Sequence, residues 1–395
     1  VSALFQLAYF GDADVFARMM KAAFNMAQTG FEISLGLVGV MTFWLGIMKI
    51  GEQGGFLNLL IRFMRPLLVK LFPQVPDNHP AFGAMLMNFA ANMLGLDNAA
   101  TPLGLKAMRE LQSINPEEDT ASDSQILFLV INTSSVTLFP VAIFTYRAQQ
   151  GAVDPTDVFI PILLATFFST MVGLIAVALY QRINLLDRVI IYYLGGMALF
   201  LGAVMFYFSQ LDQISMQKQS SIISNFLLFL IIILFISGAA LRRVNVYDAF
   251  IDGAKDGFKT AVTIIPYLIA MLVAIGVFRA SGALDIILSL ARQAASVAGL
   301  DTRFVESLPT AMMKPLSGSG ARSMMVDAMQ TYGADSFTGR LSSTIQGSTE
   351  TTFYVIALYF GSVKIRHTRH AVTCGLIADA GGIMAAVILA YIFFG

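Results

Sequence analysis

Eight apolar runs, each close to the length of a bilayer crossing, limit this chain to one kind of fold: 31–50, 126–146, 158–180, 189–208, 223–241, 260–278, 341–362 and 370–394. A crossing takes ~20 apolar residues as a helix, because in hydrocarbon each backbone N–H and C=O must find its partner inside the chain. Only 13% of the 395 residues are charged, against about 25% in soluble domains. The expectation is an all-α integral membrane protein. The formal net charge of +0 leaves no global field to recruit nucleic acid or an anionic surface. Cys374 is the single cysteine and lies inside an apolar run, so it can form no intrachain disulfide or thiolate cluster and reads as a small core residue. Val1–Phe10 is too short to span and lacks the pattern of a signal peptide, so it reads as the end of a first membrane helix.

The remaining stretches do not read as simple crossings. Residues 12–29 have amphipathic helical spacing with Arg18, Lys21, Asn25 and Gln28 on the polar face, and 56–72 carry Arg62, Arg65 and Lys70 in an apolar setting. The first reads as an N-terminal amphipathic helix, and the second suits a helix lying along the interface, with 284–298 (Asp285, Arg292) as its counterpart. The stretches 81–105 and 305–330 are apolar but broken by Gly, Pro and polar residues. They read as re-entrant hairpins, which membranes tolerate only where the irregular backbone is buried in protein or lines a wet cavity.

These elements occur twice. Asn88-Phe-Ala-Ala-Asn-Met-Leu-Gly-Leu-Asp97 with Asn98 and Thr101 is answered by Pro309-Thr-Ala-Met-Met-Lys314 with Ser317, Ser319 and Arg322. Each is followed by a polar cluster within an apolar helix: Asn132-Thr-Ser-Ser135 and Gln346-Gly-Ser-Thr349-Glu350-Thr-Thr352. The expected units are residues 1–180, a linking pair of helices in 181–246, and 247–395. Five crossings precede the second unit if hairpins and interfacial helices do not cross, and an odd number turns the second unit upside down. The connections holding Arg182, Arg188, Arg242, Arg243, Lys364, Arg366 and Arg369 share one side, while Arg147, Lys218 and Arg279 share the other. The basic side is expected to be cytoplasmic and the C-terminus extracytoplasmic.

An ionisable residue at membrane depth costs several kcal/mol and is a functional candidate by default. Asp97 could take a coupling cation or cap the helix that opens at Ala99. Ser317 and Ser319 lie on a flexible tip at a helix N-terminus, where an anionic group could bind, or the glycines there could simply make the turn. Lys314 and Arg322 flank it and could clamp an anion or pair internally with Asp97, Asp327 or Glu350. In the run from Gln346 to Thr352, inter-helix hydrogen bonding accounts for two of the hydroxyls but not for Gln346 and Glu350 as well. Asp379 could pair with a neighbouring helix or relay a proton. His367 and His370 have no carboxylate or thiol at ligand spacing. Neither a phosphate-binding Gly-Lys-Ser/Thr loop nor a Ser/His/Asp arrangement is visible, so no enzymatic activity, cofactor or metal is expected.

The sequence resembles the nucleoside-recognition, or Gate, domain family, with a specific likeness to the bacterial spore maturation proteins. Ile47-Met-Lys-Ile-Gly-Glu-Gln-Gly-Gly-Phe56 and Asn92-Met-Leu-Gly-Leu-Asp-Asn-Ala-Ala-Thr-Pro-Leu-Gly-Leu-Lys-Ala-Met108 look like the A type. Arg279-Ala-Ser-Gly-Ala-Leu284, Lys314-Pro-Leu-Ser-Gly-Ser-Gly-Ala-Arg322 and Gly347-Ser-Thr-Glu-Thr-Thr-Phe353 look like the B type, as if the two were fused. Ser348-Thr349-Glu350 is also similar to the Gln-Thr-Glu run of concentrative nucleoside transporters, with Ser in place of Gln. The resemblance implies two inverted Gate repeats with re-entrant hairpins and broken transmembrane helices.

The resulting expectation is a bacterial inner-membrane secondary transporter or flippase for a polar or anionic metabolite, nucleoside-like or a cell-envelope precursor, coupled to H⁺ or Na⁺. The alternative is a non-transporting membrane partner that assembles cell-envelope enzymes; a metal-ion channel would need Asp97 and Glu350 to converge. Expected substrate contacts are Asn98, Thr101, Asn132, Ser135, Ser317, Ser319, Arg322, Gln346, Thr349 and Glu350, with Asp97, Glu350 and Asp379 as candidates for the coupling ion. Expected partners are a small polar molecule and the lipid bilayer, with a homodimer left open and no nucleic acid.

Overall fold

The computed structural model describes all residues except Val1, Gly11, Asp77, Leu96 and Ser135, and gives backbone without side chain for Phe5, Tyr9, Phe10, Asp97–Ala99, Ser209, Gln213, Ile214 and Gln217. Helices make up nearly all of it. α1 (Ser2–Phe10), α2 (Val15–Gln53) and α3 (Phe56–Leu71) lead to a helical pair, α4 (Pro80–Met93) and α5 (Asp97–Gln112). An interrupted helix follows as α6 (Asp123–Thr133) and α7 (Val141–Gln149), then the uninterrupted α8 (Phe159–Gln181). The links are α9 (Arg188–Ile190), which runs through a π turn (Ile191–Gly195) into α10 (Gly196–Ser209), and α11 (Gln213–Leu241). The order then recurs: α12 (Val246–Ala280), α13 (Ala283–Val297), a pair formed by α14 (Leu308–Met313) and α15 (Gly318–Tyr332), an interrupted helix α16 (Phe337–Ser348) and α17 (Thr352–Ser362), and α18 (Ala371–Phe394).

Six stretches among the described residues are long and apolar enough to cross a membrane: Val15–Gln53, Phe159–Gln181, Arg188–Phe208, Lys218–Leu241, Val246–Ala280 and Ala371–Phe394. The chain is a multi-pass integral membrane protein. Two of the eight apolar runs, 126–146 and 341–362, are not continuous helices. The first helix half ends at Thr133 and the next begins at Val141, and likewise at Ser348 and Thr352, where hydroxyl side chains offer the backbone competing partners and Pro140 withholds an N–H.

The amphipathic helix read over 12–29 is not a separate element. From Val15 on, these residues continue into 31–50 as one 39-residue helix, α2, ~58 Å long at 1.5 Å per residue. The reason is a partner along much of its length. α12 runs antiparallel to it, with Ile269 against Gly30, Phe250 against Gly46, Leu45 against Gly253 and Met41 against Gly257. A Cβ on Gly253 would lie 2.3 Å from the Leu45 carbonyl oxygen, so the contact is backbone on backbone. α3 and α13 do behave as amphipathic helices, burying Leu60, Leu68 and Leu71, and Leu284, Leu288 and Ala295, respectively. α10 and α11 present Leu199, Phe200, Phe206, Phe226 and Phe229 outward, as helices facing lipid do.

Two loop contacts close the molecule at its ends. The loop before α6 meets the loop before α18: Arg366 N and His367 N donate to Asp119 O, and Ala121 N donates to His367 O at 3.0 Å. Arg369 reaches Asp123 at 2.9 Å. The loop before α8 meets the loop before α16 through Arg147, which is fully buried and donates to Ala334 O at 2.8 Å and Asp157 at 2.8 Å. Arg340 joins the same cluster through Asp157 at 2.7 Å.

Candidate functional site

The polar centre arises because each helical pair sets its tip on a helix break. α4 and α5 turn through Gly95, whose φ of +68° suits glycine. A Cβ there would meet the Phe139 carbonyl oxygen at 2.7 Å. Leu138 N donates to Met93 O at 2.9 Å, which ties this tip to the α6–α7 break. The second pair turns at 314–317, where Ser317 caps α15 by accepting from Gly320 N at 3.1 Å. Phe353 N donates to Pro315 O at 3.0 Å, so this tip lies on the α16–α17 break.

The two breaks are joined directly. Glu350 N donates to Thr133 O at 2.7 Å, and Thr349 Oγ1 lies 2.9 Å from the same oxygen. Residues 349 and 351 are extended, which frees the helix ends on both sides of Glu350. Behind them, Asp379 is 1% exposed and takes Thr349 Oγ1 at 2.5 Å and Thr352 Oγ1 at 2.6 Å. Across the break, Asn92 Nδ2 donates to Asn132 Oδ1 at 2.7 Å, while Asn132 Nδ2 donates to Phe128 O at 2.8 Å. Asn88 spans the first pair by donating to Ala100 O at 2.8 Å.

Two adjoining cavities open at this point. The larger, about 430 Å³, is bordered by Thr101, Asn132, Ser317, Ser319, Tyr354 and Tyr359 among others. The smaller, about 110 Å³, is bordered by Thr137, Tyr146, Lys314, Gln346 and Thr349 among others. Asn92, Gly318, Arg322 and Glu350 lie on the walls of both. Arg322 is held over the Tyr146 ring, 5.7 Å from its centre. Gln346 is 7% exposed, and its Oε1 has no hydrogen-bond donor among the described residues. The combined volume suits a small polar solute.

Of the residues singled out in the sequence, Thr101, Asn132, Ser317, Ser319, Arg322 and Glu350 border the larger cavity, and Gln346 and Thr349 the smaller. Asp379 lies one layer back, reached through Thr349. The side chains of Asp97 and Asn98, and Ser135 entirely, lie outside the described residues. Asp327 pairs with Arg279, so it is an internal partner. Asn92, Tyr354 and Tyr359 were missed as wall residues. Asn92 lies within the duplicated motif, and the tyrosines follow Glu350 at positions 4 and 9 along the next helix half, a periodicity that a reading focused on hydroxyls and charges passes over.

Comparison with known proteins bears on the same segments. The profile of the Gate family, described as nucleoside recognition, matches residues 34–150 and 261–366, more than half of the chain. The chain is 46% identical over 149 residues to spore maturation protein A of Bacillus subtilis (strain 168), covering 38% of this chain and 76% of that protein. It is 46% identical over 155 residues to spore maturation protein B of the same organism, covering 39% of this chain and 85% of that protein. No solved structure matches.

Proposed function

The chain belongs to the Gate nucleoside-recognition family, and from that premise we propose that it is a secondary transporter or flippase for a polar or anionic metabolite. The observation that carries this reading is the pair of cavities walled by both hairpin tips and both helix breaks at once. Interrupted helices at a shared polar centre are the usual construction of a midplane transport site.

On this reading the chain is built of two Gate repeats in opposite orientation, distantly similar to concentrative nucleoside transporters. α2 and α12, equivalent by position in the element order, run antiparallel. The loop preceding the interrupted helix of one half meets the loop following the interrupted helix of the other, at both ends of the molecule. Equivalent loops therefore lie at opposite ends, as an inverted pair requires. The end holding Arg366 and Arg369 is the more basic one, so it faces the cytoplasm across the inner membrane and the C-terminus faces out. Coupling to H⁺ or Na⁺ falls to Asp97, Glu350 or Asp379.

The names of the two relatives refer to spore maturation, and this favours a second reading, a non-transporting membrane partner of cell-envelope enzymes. Uptake into proteoliposomes under an imposed H⁺ or Na⁺ gradient, screened over a metabolite panel, separates the two. Transport predicts uptake of at least one compound, lost in Glu350→Gln and Arg322→Ala. Uptake of nothing, or equal uptake by wild type and both variants, refutes the site assignment.

A further inference from the structure

The cavity walls carry two kinds of polar group, acceptors and cations, and together they narrow the substrate class. Glu350 is pinned by its backbone N–H on Thr133 O at 2.7 Å, and its exposed side chain is on the wall of both cavities. Among the described residues its carboxylate has no hydrogen-bond donor and no cation at ion-pair distance. A carboxylate at membrane depth is costly unless a cation or several donors meet it. Four residues earlier, the side-chain oxygen of Gln346 is buried on the wall of the smaller cavity without a donor among the described residues. Two acceptors on the walls thus lack donors among the described residues, and an ammonium group supplies three donors and no acceptor.

The cations on the same walls have the opposite character. Lys314 and Arg322 border the smaller cavity with Gly318, which opens the 15-residue helix α15. A helix N-terminus beside two cations is a favourable place for a carboxylate or phosphate. Arg322 and Glu350 border both cavities, so one solute in them can meet both kinds of group.

We propose that the substrate is a small zwitterion, with a protonated amine at Glu350 and Gln346 and an acidic group at Lys314, Arg322 and the start of α15. This rests on the transport-site reading above and names its substrate class. A nucleoside can offer hydroxyl donors to Glu350 but brings no anion to Lys314 and Arg322.

The test uses the full chain in detergent and follows its thermal unfolding midpoint. The zwitterionic probes are glycine, γ-aminobutyrate and alanyl-alanine, which set the two charges progressively further apart. The controls are their N-acetylated forms (anion only), ethylamine (cation only), uridine and sodium chloride. At least one zwitterion is expected to raise the midpoint, with affinity roughly tenfold or more above either half-molecule, the worth of one charge-assisted contact. This comparison is made on the wild type alone, so it does not depend on any variant folding. Glu350→Gln is expected to bring the zwitterion down to the level of its N-acetyl form, and Gln346→Met to weaken it in the same direction. Stabilisation by uridine and by no zwitterion overturns the substrate class while leaving the transport reading intact. A Glu350-dependent response to sodium chloride alone makes Glu350 a metal-cation site and overturns the ammonium assignment. A response to nothing in the panel overturns the proposal, and the uptake screen then decides the transport reading separately.

Discussion

Arg147→Ala should unclamp one end of the molecule, and the structure sets the scale of the loss. The guanidinium is fully buried and donates to Pro155 O at 3.2 Å, Ala334 O at 2.8 Å, Asp154 O at 3.3 Å, Asp157 at 2.8 Å and Asp335 at 3.2 Å. It therefore joins the loop after α7 to the loop before α16. Breaking a buried pair by deleting one partner costs about 3–5 kcal/mol, mostly because the other charge is stranded. Burial already pushes the Asp157 carboxyl above the usual carboxylate range, against the pull of Arg147 and Arg340. Asp157 would keep Arg340 at 2.7 Å, and Asp335 is partly exposed and can rehydrate. Those two facts place the expected loss near the lower bound, about 3 kcal/mol. Asp335→Asn removes only a partly solvated charge and should cost under about 1 kcal/mol. Arg147→Lys should fall between the two, since an ammonium cannot reproduce the planar fork. The assay is equilibrium denaturant unfolding in detergent, with midpoint shifts multiplied by a common slope. If Arg147→Ala costs no more than Asp335→Asn, Arg147 does not hold these loops together.

Gly253→Val should prevent α2 and α12 from docking, because the new Cβ would meet the Leu45 carbonyl at 2.3 Å, and size-exclusion chromatography should show aggregate in place of monodisperse protein. Gly39→Ala is the control: a Cβ there meets nothing within 4 Å, and the exchange should stabilise by about 0.5–1 kcal/mol through helix propensity. Ser122→Ala dismantles the capping box in which Ser122 Oγ accepts from Gln125 N at 3.3 Å and should cost ~1 kcal/mol in the same unfolding assay. His370 has its pKa lowered by burial and then by Arg369. The unfolded chain therefore binds the proton first, so its contribution is whole above pH 6.5 and is lost as the pH falls toward the folded value. His370→Phe, which keeps the stack on Tyr180 at 4.9 Å, should flatten the fall in unfolding midpoint between about pH 7 and pH 5; an unchanged pH profile rules the assignment out.

The membrane class, both helical pairs and both polar interruptions were legible in the sequence because each follows from local chemistry. About twenty apolar residues specify a span, and Gly, Pro and hydroxyl clusters specify where helical hydrogen bonding stops. The continuity of α2 was not legible. Residues 12–29 look like a separate amphipathic helix when taken alone, and packing on α12, with Met26 against Gly276 and Ile269 against Gly30, keeps them in line with 31–50. Asp327 likewise carries a charge at an apparently functional place, yet Arg279, 48 residues away, takes it as an ion-pair partner.

The candidate site divides along the same line. Glu350, Gln346, Arg322 and Asn132 could be picked out from the sequence, since polar side chains inside spans of hydrocarbon length are rare and costly. That Glu350 N is bonded to Thr133 O, 217 positions earlier in the chain, or that Asn92 meets Asn132, depends on how two halves fold against each other. Periodicity and composition are properties of neighbours along the chain, and they determine which segments cross and where they break. Which broken ends share a cavity, and which charges face it rather than each other, is decided by long-range packing that only the tertiary structure contains.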